Sequence, residues 1–144
     1  MASGADVHRS LSLPSEASAL VPVYQDILAE LLAKGYADED IFSIHLALEE
    51  AFLNAVRHGN ADDPSKHVLF DYIISSEKAD FFITDEGEGF KPADIPDPRS
   101  GENLFKAGGR GLFLIRHYMD VAEYSEKGNC LHIIKFRTQD AKLP

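Results

Sequence analysis

The sequence predicts an α+β two-layer sandwich, a mixed, mostly antiparallel sheet with three helices on one face. Three observations lead there. The 144 residues, 44% apolar and 26% charged, have the size and make-up of a single domain able to bury a core. Apolar residues recur at helical spacing in some stretches and alternate or cluster as short strands in others. Their order along the chain is strand, helix, helix, strand, strand, helix, strand, strand.

The elements follow in turn. Residues 1–13 read as an N-terminal tail and strand: Val7, Leu11 and Leu13 lie in a segment ending at Pro14 that suits a sheet edge, with Arg9 and Ser10 breaking its alternation. Ser15 or Ser18 is placed to cap a helix whose inward stripe is Leu20, Val23, Tyr24, Ile27 and Leu31. Pro22 is tolerable there because it lies near the first turn, and Gly35 stops the helix. A second helix opens in Asp38-Glu39-Asp40, where negative charge suits the positive end of the dipole, and carries Ile41, Ile44, Leu48, Phe52 and Ala55. Gly59 is its expected C-cap, followed by a polar loop through Pro64.

Val68 to Ile74 and Ala79 to Thr84 are rich in β-branched and aromatic residues and flank the polar Ser75-Ser76-Glu77-Lys78, which reads as an antiparallel hairpin. From Lys91 to Gly108 the composition shifts to proline and glycine with few aliphatics, the mark of a long loop of functional use. Leu112, Ile115, Tyr118 and Met119 give a third helix after Gly109-Arg110-Gly111. Val121 to Glu126, a Lys127-Gly128-Asn129 turn and Cys130 to Arg137 complete a final hairpin.

Charge and cysteine content narrow the function. Fourteen Lys and Arg against 24 Asp and Glu leave a formal charge of −10, which argues against a general binder of nucleic acid or of an anionic membrane. One cysteine, Cys130, excludes an internal disulfide framework and a zinc site of several thiolates, so a reducing compartment is expected. No apolar run approaches the ~20 residues that span a bilayer. Residues 1–12 lack the basic and apolar regions of a signal peptide, which leaves the cytoplasm as the expected location.

Three polar constellations carry possible chemistry. Glu50, Asn54 and His58 recur every four residues and line one stripe of the second helix, with Arg57 beside them. A solvated helix side accounts for such a stripe, but asparagine is a poor interior helix residue, and the three supply a proton acceptor, a neutral oxygen ligand and a titratable ring. Asp85-Glu86-Gly87-Glu88-Gly89 is either a plain acidic turn or a loop whose glycines pass close to a flat ligand while Asp85 accepts an N–H. It is not a dinucleotide fingerprint, because Pro92 stands where the third glycine belongs; the chain also lacks the G-K-[ST] of a phosphate loop. Gly108-Gly109-Arg110-Gly111 is either a hinge or an anion site of free N–H groups at a helix start, with Arg110 suited to phosphate. Cys130 and His132 share a strand face, where packing is the preferred reading.

Taken together, Glu50-Ala51-Phe52-Leu53-Asn54-Ala55-Val56-Arg57-His58-Gly59-Asn60, then Asp85-Glu86-Gly87-Glu88-Gly89-Phe90, then Gly109-Arg110-Gly111-Leu112-Phe113-Leu114-Ile115 resemble the asparagine box and two glycine boxes of the Bergerat-fold ATPases, the superfamily of gyrase, Hsp90 chaperones, histidine kinases and MutL. Asn-Ala-x-x-His-Gly-Asn, Met119-Asp120-Val121 and Gly128-Asn129 resemble most closely its anti-sigma-factor serine kinases of the RsbW and SpoIIAB type. The resemblance runs from about Leu13 to Arg137 and implies that residues 1–144 form one histidine-kinase-like ATPase domain.

It implies ATP and Mg²⁺ as cofactors. Asn54 then corresponds to the Mg²⁺ ligand beside the phosphates and Glu50 to the general base. Asp85 corresponds to the acceptor of the adenine amino group, with Gly87 and Gly89 letting the base lie on backbone. Gly109, Arg110 and Gly111 would face the phosphates, next to Leu112 of the same box. Arg57 is a further possible phosphate contact, and His58 either bridges polar groups there or is a satisfied histidine. Residues 91–108 take the place of the ATP lid.

Where the broader superfamily carries a third glycine two residues after Gly111 this chain has Phe113, as suits the anti-sigma branch. Only Leu104-Phe105 echoes the further phenylalanine box of histidine kinases, and no phosphoacceptor-histidine helix precedes the domain, so a free-standing histidine kinase is not expected. The resemblance implies a serine/threonine kinase acting on a STAS-domain anti-anti-sigma protein, with a sigma factor as a possible second partner and a homodimer as a possible assembly, and with neither nucleic acid nor membrane bound. The alternative is a nucleotide-gated module that sequesters a partner without significant kinase activity. A degenerate fold without nucleotide is disfavoured because all three boxes keep their reactive residues.

Overall fold

The computed structural model describes residues 5–87 and 109–138, with only the backbone of residues 109 and 110. The elements run β1 (Val7–Pro14), a short 3₁₀ turn (Ala17–Ala19), α1 (Leu20–Ala33), α2 (Asp38–Asn54) and a π-helical turn (Ala55–Gly59). Then come β2 (His67–Ile74), β3 (Lys78–Thr84), α3 (Gly109–Tyr118), β4 (Val121–Tyr124) and β5 (Cys130–Phe136). The five strands form one sheet in the order β1-β2-β3-β5-β4.

All four pairings among the described residues are antiparallel, so the expected mixed sheet is corrected there. The reason is the position of β5. Both β3 and β4 run antiparallel to β5, and hence parallel to one another; the crossover through α3 would have paired them had β5 not turned back between them. β1 lies at the edge as its broken alternation implies, with Val7, Leu11 and Leu13 half-buried and Arg9 exposed.

The helices cover one sheet face. The α1 stripe Leu20, Val23, Tyr24, Ile27 and Leu31 is buried, and so are Ile44, Leu48, Phe52 and Ala55 near α2, whereas Ile41 is half-buried. They meet Phe70, Tyr72, Ile74, Phe81, Ile83, Leu131 and Ile133 of the sheet, with Ile115 and Met119 contributed at α3. Gly35, at φ +79°, ends α1 as predicted. No serine caps α1: its N-cap is Ala19, behind the 3₁₀ turn, and the Ser15 hydroxyl is engaged elsewhere. β4 stops at Tyr124 rather than Glu126, since Ser125 already takes part in the turn to β5.

A polar cluster around the buried Asp40 fastens the end of β5 and the residues after it to α2. Asp40, in the first turn of α2, accepts the N–H of Thr138 at 2.8 Å and its Oγ1–H at 2.6 Å, with Lys135 Nζ 3.9 Å away. On the opposite sheet face Cys130 is half-buried, and His132 stacks on Phe82 and lies 2.9 Å from Asp80. Among the described residues no helix is long and apolar enough to cross a membrane.

Candidate functional site

Three chain segments converge at the C-terminal end of α2. Glu50 and Asn54 are one turn apart on the same side of the helix, both half-buried. Gly111, in the first turn of α3, lies directly over them. A Cβ at Gly111 would stand 2.9 Å from Asn54 Nδ2, 3.1 Å from Glu50 Oε1 and 3.2 Å from Asn54 Oδ1. The glycine therefore does more than expose N–H groups: it makes room for a carboxylate and a carboxamide. Asn54 Nδ2 is buried with no hydrogen-bond partner among the described residues. Leaving such a group unpaired costs about 1–3 kcal/mol, which suits an amide reserved for a ligand.

Beyond Asn54 the helix widens into the π turn, where Asn60 N–H bonds the carbonyl of Ala55 at 2.8 Å. Turns of this kind frequently mark functional positions. Gly59 is not the expected left-handed C-cap; the positive φ values fall at Ala61 (51°) and Asp62 (57°). Its role is close approach. A Cβ on Gly59 would overlap the carboxylate of Asp85, and one on Gly87 would overlap the Gly59 carbonyl. Two glycines thus let the end of the α2 segment touch the loop after β3.

Asp85 is clasped on both sides. Its N–H donates to the Asn129 carbonyl at 2.9 Å, Asn129 Nδ2 donates to its carbonyl at 3.2 Å, and its Oδ1 accepts the Gly87 N–H at 2.8 Å. Burial raises the Asp85 pKa above the ordinary carboxylate value, with the Gly87 N–H and then Lys66 and Lys127 opposing that rise. Tyr124 is pushed up to about 12, first by burial and then by the Asp85 charge. The result is a fixed, partly desolvated hydrogen-bond acceptor at a strand end.

The fold thus brings Glu50, Asn54 and Gly111 together at one point and Asp85, Gly87 and Gly59 at another, joined by the π turn. Gly109 and Arg110 begin α3, and Leu112 is buried behind them. Arg57 and His58 are exposed on the π turn. Gly89 and the proposed lid, 91–108, lie outside the described residues. Asn60 and Asn129 brace the Asp85 loop from the ends of two sequence motifs, where an asparagine behind a glycine reads locally as turn chemistry.

The family model of the histidine kinase-like ATPase domain matches residues 13–135. The chain is 32% identical to the serine-protein kinase RsbW of Halalkalibacterium halodurans over 116 residues, covering 74% of this chain and 68% of the relative. It is 28% identical to RsbW of Listeria monocytogenes over 109 residues, 71% of this chain and 69% of the relative. A crystal structure of the RsbU and RsbW domains of a Mycobacterium tuberculosis protein superposes with a TM-score of 0.61 at 18% identity. That likeness covers 91% of this chain but 32% of the other and speaks for the fold alone.

Proposed function

The chain belongs to the histidine kinase-like ATPase family, and from that premise we propose that it is an ATP-dependent serine/threonine protein kinase of the anti-sigma-factor type. The observation that carries this reading is the Glu50–Asn54 pair beneath the bare Cα of Gly111. A carboxylate and a carboxamide whose Nδ2 has no partner among the described residues, facing a glycine at a helix N-terminus, suit a cradle for an anion and its metal.

In this reading Asp85 accepts the amino group of adenine, and Gly87 lets the ring approach backbone. Gly109, Arg110 and Gly111 receive the phosphates, with Arg57 a further cation at hand. Asn54 fits Mg²⁺ as one neutral oxygen ligand, the rest coming from phosphate and water. When bound, the ion offsets phosphate charge that an acidic chain is poorly equipped to meet. Glu50 takes the proton from the attacking serine hydroxyl as its oxygen bonds to the γ-phosphorus; the bond to the bridging oxygen breaks, and ADP leaves with that oxygen.

The protein substrate is read as a STAS-domain antagonist, through which the chain would regulate transcription by partner switching with a sigma factor. Incubation with ATP, Mg²⁺ and such a partner should place the γ-phosphate on a serine or threonine, and Glu50→Gln should abolish the transfer. Transfer that survives Glu50→Gln would overturn the role of Glu50, and absence of any nucleotide-induced rise in melting temperature would overturn the reading as a whole.

A further inference from the structure

Asn60 has no place in the catalytic scheme, yet it is 0% exposed and both ends of its carboxamide are engaged. Nδ2 donates to Ser15 Oγ at 3.0 Å and to the His67 carbonyl at 3.0 Å, while Oδ1 accepts the Glu86 N–H at 2.7 Å. These partners fix the orientation of the amide, because a backbone N–H requires the oxygen and a carbonyl requires the nitrogen. One side chain therefore pins the β1–α1 junction, the start of β2 and the loop after β3. The loop is tied a second time, the Glu86 carboxylate accepting the His67 N–H.

Glu86 stands between Asp85 and Gly87, the two residues whose placement defines the base end of the site. Asn129 holds Asp85 from the β5 side, and the Gly87 N–H holds its carboxylate. The backbone N–H between them is held by Asn60. We propose that Asn60 is a positioning residue for base recognition: by holding the Glu86 N–H it sets the angle at which the Asp85 carboxylate meets the amino group of adenine. This inference rests on the assignment of Asp85 under Proposed function. Aspartate could still accept the Glu86 N–H at this position, but it would turn a carboxylate toward the His67 carbonyl; alanine would leave that N–H unheld.

The test compares ATP with inosine triphosphate, which carries an oxygen where adenine carries its amino group, on the full chain and on Asn60→Ala and Asn60→Asp. The unaltered chain should prefer ATP. Asn60→Ala should lower that preference about tenfold, the ratio expected for loss of one hydrogen bond to a charged group, with inosine triphosphate affinity unchanged. Asn60→Asp should keep more of the preference than Asn60→Ala. Equal weakening of both nucleotides, or an undiminished preference in Asn60→Ala, would overturn the proposal. Should Asn60→Ala fail to fold, amide hydrogen exchange of the unaltered chain decides: the Glu86 N–H should be protected like the core, and rapid exchange there would overturn the proposal. A chain that does not distinguish the two nucleotides at all overturns the Asp85 assignment, and this inference with it.

Discussion

Replacing Gly59 with alanine separates two meanings of a glycine. A Cβ there would collide with Oδ2 and Cγ of Asp85 and stand 2.7 Å from its Cβ. Because the Asp85 Cβ is included, rotating that side chain cannot clear the clash; backbone must move. Overpacking of this kind costs about 1–3 kcal/mol. At roughly 2–4 °C per kcal/mol for a chain near this length, melting should fall by about 2–12 °C. Loss of the positioned carboxylate should weaken ATP by about ten- to a hundredfold, the equivalent of 1.5–3 kcal/mol. Melting curves without nucleotide and calorimetric titration with ATP and Mg²⁺ measure both. Gly35→Ala is the control: it strains a φ of +79° in open space and should cost about 1 kcal/mol while leaving ATP affinity unchanged. If Gly59 merely ended a helix, alanine at its negative φ would gain up to about 1 kcal/mol. A Gly59→Ala protein as stable as its parent, binding ATP within twofold, would refute the reasoning.

Asp85→Asn should abolish ATP-induced stabilisation, read by melting with and without nucleotide. It should also leave the nucleotide-free protein as stable or more so at neutral pH. Since the folded pKa of Asp85 is raised above 3.8, its contribution to stability is full below 3.8 and lost as pH rises through the folded value, so the variant's advantage should open as pH rises above 3.8. Glu50→Gln should keep ATP affinity within about twofold while abolishing phosphotransfer, a fall of at least about 10²-fold measured with labelled γ-phosphate. Asp40→Ala removes the acceptor of two Thr138 hydrogen bonds and should cost about 2–3 kcal/mol in denaturant melts without altering ATP affinity.

What the sequence made legible was local. The α1 stripe and the shared face of Glu50 and Asn54 follow from spacings of three and four, which any helix enforces. The β2–β3 hairpin follows from two apolar runs around a polar turn. What escaped was set by distant partners. Ser15 does not cap α1 because its hydroxyl meets Asn60, 45 residues on. Gly59 is required by an aspartate 26 residues later, which no local rule could supply. The sheet order escaped for the same reason: nothing near β3 or β4 announces that β5 will come between them. The three boxes mark the candidate site, but the asparagines that hold Asp85 and its loop lie at the ends of motifs, where turn chemistry masks them.

The place of β5 also has a consequence for synthesis on the ribosome. Residues through Thr84 can assemble β1, β2 and β3 against α1 and α2 as they emerge, but β3 then presents a bare edge and Asp85 lacks its Asn129 clasp. β4 emerges with no neighbour of its own, since it pairs with β5 alone among the described residues. Insertion of the last strand joins the two halves of the sheet, beside the packing of α3 on α2. Nascent chains halted before Asn129 would carry all three sequence boxes and still lack the clasp on Asp85.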